Sequence, residues 1–91
     1  MNANQEPKYK IVGDQIVNRA SGEAIPEDEP LMIFRARDVH AAGMIREYAG
    51  KVRDAEHRSV VLERAADFEQ FAADHSDRMK EPDTVRADLE G

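Results

Sequence analysis

The chain has 91 residues, with 13 Lys and Arg against 19 Asp and Glu, a net charge of −6, and no cysteine. The lack of cysteine excludes a disulfide framework, a thiolate metal centre and thiol catalysis. No apolar run approaches the roughly 20 residues that cross a bilayer, and no signal-peptide stretch opens the chain, so a cytoplasmic protein without membrane contact is expected.

A chain of this length buries only about 60–65% of the surface its unfolded form exposes. Here the apolar material is thin as well, with three Phe, two Tyr and no Trp. Small chains often close such a gap by self-association, so a homo-oligomer, and a homodimer first, is expected.

Residues 1–7 are polar and aperiodic and read as a disordered arm. Tyr9-Lys10-Ile11-Val12 and Gln15-Ile16-Val17-Asn18 flank Gly13-Asp14, and a further short run, Glu23-Ala24-Ile25, follows Gly22. Short β-branched runs separated by glycine predict an antiparallel meander. Pro26 to Pro30 encloses the acidic triplet Glu27, Asp28 and Glu29, an exposed connector. Leu31 to Arg37 then reads as the most apolar strand of the chain. Period-two alternation places Met32, Phe34 and Ala36 on one face, with Leu31, Ile33, Arg35 and Arg37 on the other.

Asp38 is a good N-cap for a first helix, whose apolar stripe is Ala41, Ala42, Ile45, Tyr48, Ala49 and Val52. Asp54 is placed to cap a second helix, with Val61, Leu62, Ala65, Phe68, Phe71 and Ala72 as its stripe. Tyr48, Phe68 and Phe71 are expected in the core or in a dimer contact. The pattern fades near Asp74. The fold expected is α+β: a small antiparallel meander of three or four strands, then a two-helix hairpin, with dimerisation as a route to completing it. One domain over residues 8–79 and a flexible acidic tail over residues 80–91 complete the organisation.

Charge is uneven along the chain. Residues 1–30 carry three positive and six negative side chains, residues 31–60 six and four, and residues 61–91 four and nine. Five of the six cations in the middle are Arg, whose planar fork grips carboxylate or phosphate in a bidentate way. On a strand, Arg35 and Arg37 would leave one face about 7 Å apart, just ahead of a helix N-terminus, with His40 close enough to add a donor. These three form the candidate anion site. Asp38 opposes it by occupying the same amides. The competing account pairs both arginines with Asp38 or with Glu27–Glu29.

On the second helix Glu63, Asp67, Asp74 and Asp77 fall near one edge and form a candidate acidic face for a basic partner. An ordinary solvated helix face is the competing account. Asp74-His75-Ser76-Asp77 holds the letters of a hydrolytic triad, but consecutive side chains diverge, and a helix end explains it. Asp54 and His57 make two metal ligands without a third, and first-turn capping explains both. Neither phosphate-cradling glycine motif occurs, so no cofactor is expected. A net charge of −6 makes direct DNA binding unlikely.

From Tyr9 to about Thr84, with IVNRASGEAIPEDEP, RARD and EPDT, the chain resembles small accessory proteins of tailed bacteriophages and related mobile elements. That group has no established activity and passes on no functional residue. The resemblance implies a habitat, the cytoplasm of a host cell, where such proteins bind or inhibit host machinery. Residues and resemblance together lead to a non-enzymatic interaction protein that modulates a host protein. The alternative is a homo-oligomer binding a nucleotide or another phosphorylated signal through Arg35, Arg37 and His40.

Overall fold

A computed structural model describes residues 6–84. The expected arm falls on residues 1–7 and the expected tail on 80–91, so both lie largely outside the described residues. The architecture is α+β, two antiparallel strands followed by two helices, and the chain divides into a hairpin unit up to Met32 and a helical unit from Ile33.

In the hairpin unit, β1 (Tyr9–Val12) pairs antiparallel with β2 (Gln15–Asn18), with Val12 opposite Gln15 and Tyr9 opposite Asn18. The link is two residues long, and Gly13 at its first position has φ 62°. A positive φ there matches the twist of the strands, and only glycine adopts it without strain. On the far side of β2 a single antiparallel bridge joins Val17 to Ala24, and the Ile25 amide donates to the Ile16 carbonyl at 2.9 Å. Val17, enclosed from both flanks, is the hairpin's buried apolar side chain.

Among the described residues two strands thus stand where three or four were expected. Glu23–Ile25 makes a bridge rather than a strand. The strand expected over Leu31–Arg37 does not form, and its residues run as unpaired chain into a turn. Alternation and β-branching dispose a segment to extend, but a strand exists only when a neighbour takes its amides and carbonyls. Pro30 also removes the donor at the segment's start.

In the helical unit, α1 (Ala41–Lys51) and α2 (Ala55–Asp74) form the expected hairpin, joined by a three-residue link. Asp54 caps α2 as the sequence foretold: its carboxylate accepts the His57 amide at 3.0 Å. The expected stripe of α2 is the face that packs, with Ala65 buried and Val61, Leu62, Phe68, Phe71 and Ala72 half-buried. The helix ends at Asp74 and passes into a 3₁₀ turn, Ser76–Arg78, so the Asp74–Asp77 run is a helix terminus.

The start of α1 departs from expectation. Asp38 does not cap it; its carboxylate accepts the His40 amide at 2.8 Å, and the helix begins beyond, with His40 as an N-cap whose side chain makes no bond to the helix amides. A local turn around Asp38 competes successfully with a cap. The expected α1 stripe is the face that packs, with one exception: Ala41 and Ala49 are buried and Ala42, Ile45 and Val52 half-buried, whereas Tyr48, expected in the core or in a dimer contact, is 62% exposed. Small side chains at Ala41, Ala49 and Ala65 are the points of burial, and the bulky phenol is left on the margin of the stripe.

Candidate interaction surfaces

Helix α1 is held against α2 by a paired fork. Arg46 Nε donates to Glu69 Oε2 at 2.7 Å and Nη2 donates to Oε1 at 2.6 Å, a bidentate pair across the two helices. Arg58 ties the link from the other end, donating from Nε to the Val52 carbonyl at 2.9 Å and from Nη2 to the Arg53 carbonyl at 3.0 Å. These carbonyls close α1, where a cation also complements the helix dipole. Arg78 lies over the Phe71 ring, 4.8 Å from its centre. Three of the arginines therefore work within the helical unit.

The candidate anion site has a different geometry from the one the strand implied. Arg35 is exposed and Arg37 half-buried, each on turn-forming chain, and no strand sets a common face for them. The Arg35 carbonyl accepts the Asp38 amide at 3.0 Å. The Arg37 carbonyl accepts the Lys80 amide at 2.9 Å, and the Lys80 carbonyl accepts the Val39 amide at 3.1 Å, so Asp38 and Lys80 form a parallel bridge. His40 Nε2 lies 2.7 Å from Glu81 Oε2. The third member of the candidate set thus meets a carboxylate of its own chain. Asp83 is held below the usual carboxylate range by its bond from Lys80 Nζ first, with a smaller contribution from Arg37. Neither Arg35 nor Arg37 makes an ion pair with Asp38 among the described residues.

Sequence reasoning missed this clasp of Lys80, Glu81 and Asp83 on the entry to α1. Its members are about 40 positions apart in sequence, and no periodicity links a short bridge to a distant helix start.

The acidic set is brought to one region. Glu63, Asp67 and Asp74 lie exposed on α2, and Asp77 follows in the 3₁₀ turn. Asp67 lies 3.3 Å from Arg64, and Asp74 accepts from Gln70 Nε2 at 2.9 Å. Both partners are on α2 itself, so the carboxylates remain open to solvent on one side.

The missed apolar feature is on α1. Met44 and Tyr48 are one turn apart and both exposed, on a helix whose position the Arg46–Glu69 fork holds. The signal available was the excess of apolar residues on α1 relative to the width that alanines need to pack. Among the described residues no helix is long and apolar enough to cross a membrane. No family model, curated protein or solved structure matches the chain.

Proposed function

We propose that the chain is a non-enzymatic interaction protein whose helical unit docks on another protein, with Tyr48 and Met44 as anchors. The observation that carries this reading is the exposed Tyr48–Met44 pair on a helix braced from behind. Aromatic residues and methionine are enriched in interface cores, tyrosine because its rigid ring offers large contact area at small entropic cost and methionine because its flexible thioether adapts to the surface it meets. Glu63, Asp67, Asp74 and Asp77 would steer a partner of basic surface, raising the rate of encounter more than the final affinity. The resemblance to bacteriophage accessory proteins makes that partner a host protein and the place of action the host cytoplasm.

The test is capture with the full-length tagged chain from host lysate at low and high salt, run beside Tyr48→Ala and the charge reversal Glu63→Lys/Asp67→Lys. One protein retained by the wild type, lost with Tyr48→Ala and recovered less at low salt by the reversal supports the reading. Equal recovery by all three sinks it. Calorimetric heat with nucleotides that disappears in Arg35→Ala would favour the phosphorylated-ligand reading instead.

A further inference from the structure

Two further apolar segments are exposed, and each lacks what the other offers. Strand β2 is used on both sides, by β1 and by the Ala24 bridge, but among the described residues β1 has only one neighbour. The Lys8 carbonyl accepts the Arg19 amide. Since antiparallel pairs alternate, Lys10 and Val12 also face β2, while Tyr9 and Ile11 aim their backbone groups at the open edge. Ile11 is 75% exposed and Val12 is exposed beside it. The second segment is Leu31-Met32-Ile33. All three side chains are exposed, Ile33 at 71%, and among the described residues no hydrogen bond involves the backbone from Pro30 to Phe34. An open apolar edge and an unpaired apolar stretch with strand periodicity are the two halves of a β-augmentation.

We infer that Leu31–Ile33 of one copy adds to the β1 edge of a second copy, in parallel, and that the exchange is reciprocal across a two-fold axis.

Charge selects the direction. Set parallel, with Lys10, Ile11 and Val12 beside Leu31, Met32 and Ile33, the alignment brings Lys8 level with Glu29 and Asp14 level with Arg35. Set antiparallel over the same residues, Lys8 falls opposite Arg35 and Asp14 opposite Glu29, two like-charge pairs. Opposite charges across neighbouring strands stabilise and like charges destabilise. The parallel ladder also has a natural end. The Tyr9 amide, which would reach the Glu29 carbonyl, is already taken by the Glu6 carboxylate. Glu6 and Glu27 come level in this alignment, but Glu6 is folded back onto the amides of Lys8 and Tyr9. A two-fold arrangement makes every contact twice, so each substitution acts on both sides of the interface.

The experiment is sedimentation equilibrium on the full chain over a wide concentration range, with circular dichroism to verify that each variant folds. The wild type is expected to pass from the 10.3 kDa monomer to a dimer. Met32→Lys and Ile11→Lys, both at exposed positions, are expected to weaken the dimer about tenfold or more, whereas Lys8→Glu and Glu29→Lys each weaken it about fivefold and the double variant recovers to within about twofold of wild type. A single monomeric species up to about 1 mM overturns the inference, whether or not the Met32 amide is protected from exchange. A dimer indifferent to Met32→Lys overturns it too, because association then uses another face. Failure of the double charge swap to recover affinity rejects the parallel register. None of these outcomes depends on Tyr48, so the docking reading for α1 stands or falls separately.

Discussion

Arg46 on α1 and Glu69 on α2 meet as two planar groups with both hydrogen bonds of the fork made, each side chain about half exposed. The Arg46 hydrogen bonds, aided by its charge, hold the Glu69 carboxyl below the usual glutamate range, and the same contact raises Arg46. A carboxyl depressed by folding adds stability that is complete above its unfolded pKa and is lost as pH falls through the lower folded value.

Thermal melts of the wild type and Glu69→Gln between pH 7 and pH 2 should therefore converge on acidification. The separation is expected to be greatest near neutrality and to shrink below the ordinary glutamate pKa. Added salt should reduce it as well, because the pair is partly in solvent. A separation that stays constant across the pH range would contradict the role given to the fork.

Asp54 offers a second acid-sensitive site. The His57 amide is the main cause that lowers its carboxyl. Asp54→Ala should lower the melting temperature, and Asp54→Ser, which keeps an oxygen for the amide, should lose much less. The advantage of Asp54 over Ser should fade as pH drops through the folded aspartate value. Equal melting temperatures for Ala and Ser would show that the cap contributes nothing.

The glycines predict opposite signs from one chemical change. Gly13 has φ 62°, so Gly13→Ala should cost about 1 kcal/mol although nothing crowds the position. Gly43 lies inside α1 with nothing within 4 Å of an added Cβ, so Gly43→Ala should stabilise by about 0.5–1 kcal/mol. Urea unfolding measures both. A loss at Gly43 would mean that its face is in use.

The clasp at the entry to α1 predicts a local effect. Glu81→Ala or His40→Ala removes the side-chain contact at 2.7 Å and leaves the backbone bridge to hold alone. Hydrogen exchange at the Val39 and Lys80 amides should quicken, while amides in the middle of α2 keep their wild-type rates. Uniform acceleration would indicate global destabilisation instead.

The second helix and its boundaries were readable from Asp54 to Asp74 because capping and a repeated apolar face are local properties. Each depends on residues within a few positions of one another. The hairpin turn at Gly13 was readable for the same reason. Tyr48 lies on the expected helix but outside the chain's own core, since the stripe names a face and not the depth at which alanines let the helices meet. Asp38 was read as a cap although a turn of its own was equally within its chemistry.

By itself, then, the amino-acid order determined where this chain turns, where its long helix starts and stops, and which face of that helix is dry. Tertiary structure alone decided that Leu31–Arg37 would go unpaired, that Arg46 would reach Glu69, and that residues 80–83 would close on His40 and Arg37. The reason is physical: a strand, a cross-helix ion pair and a clasp each need a partner distant in sequence, and whether it arrives depends on how the elements pack.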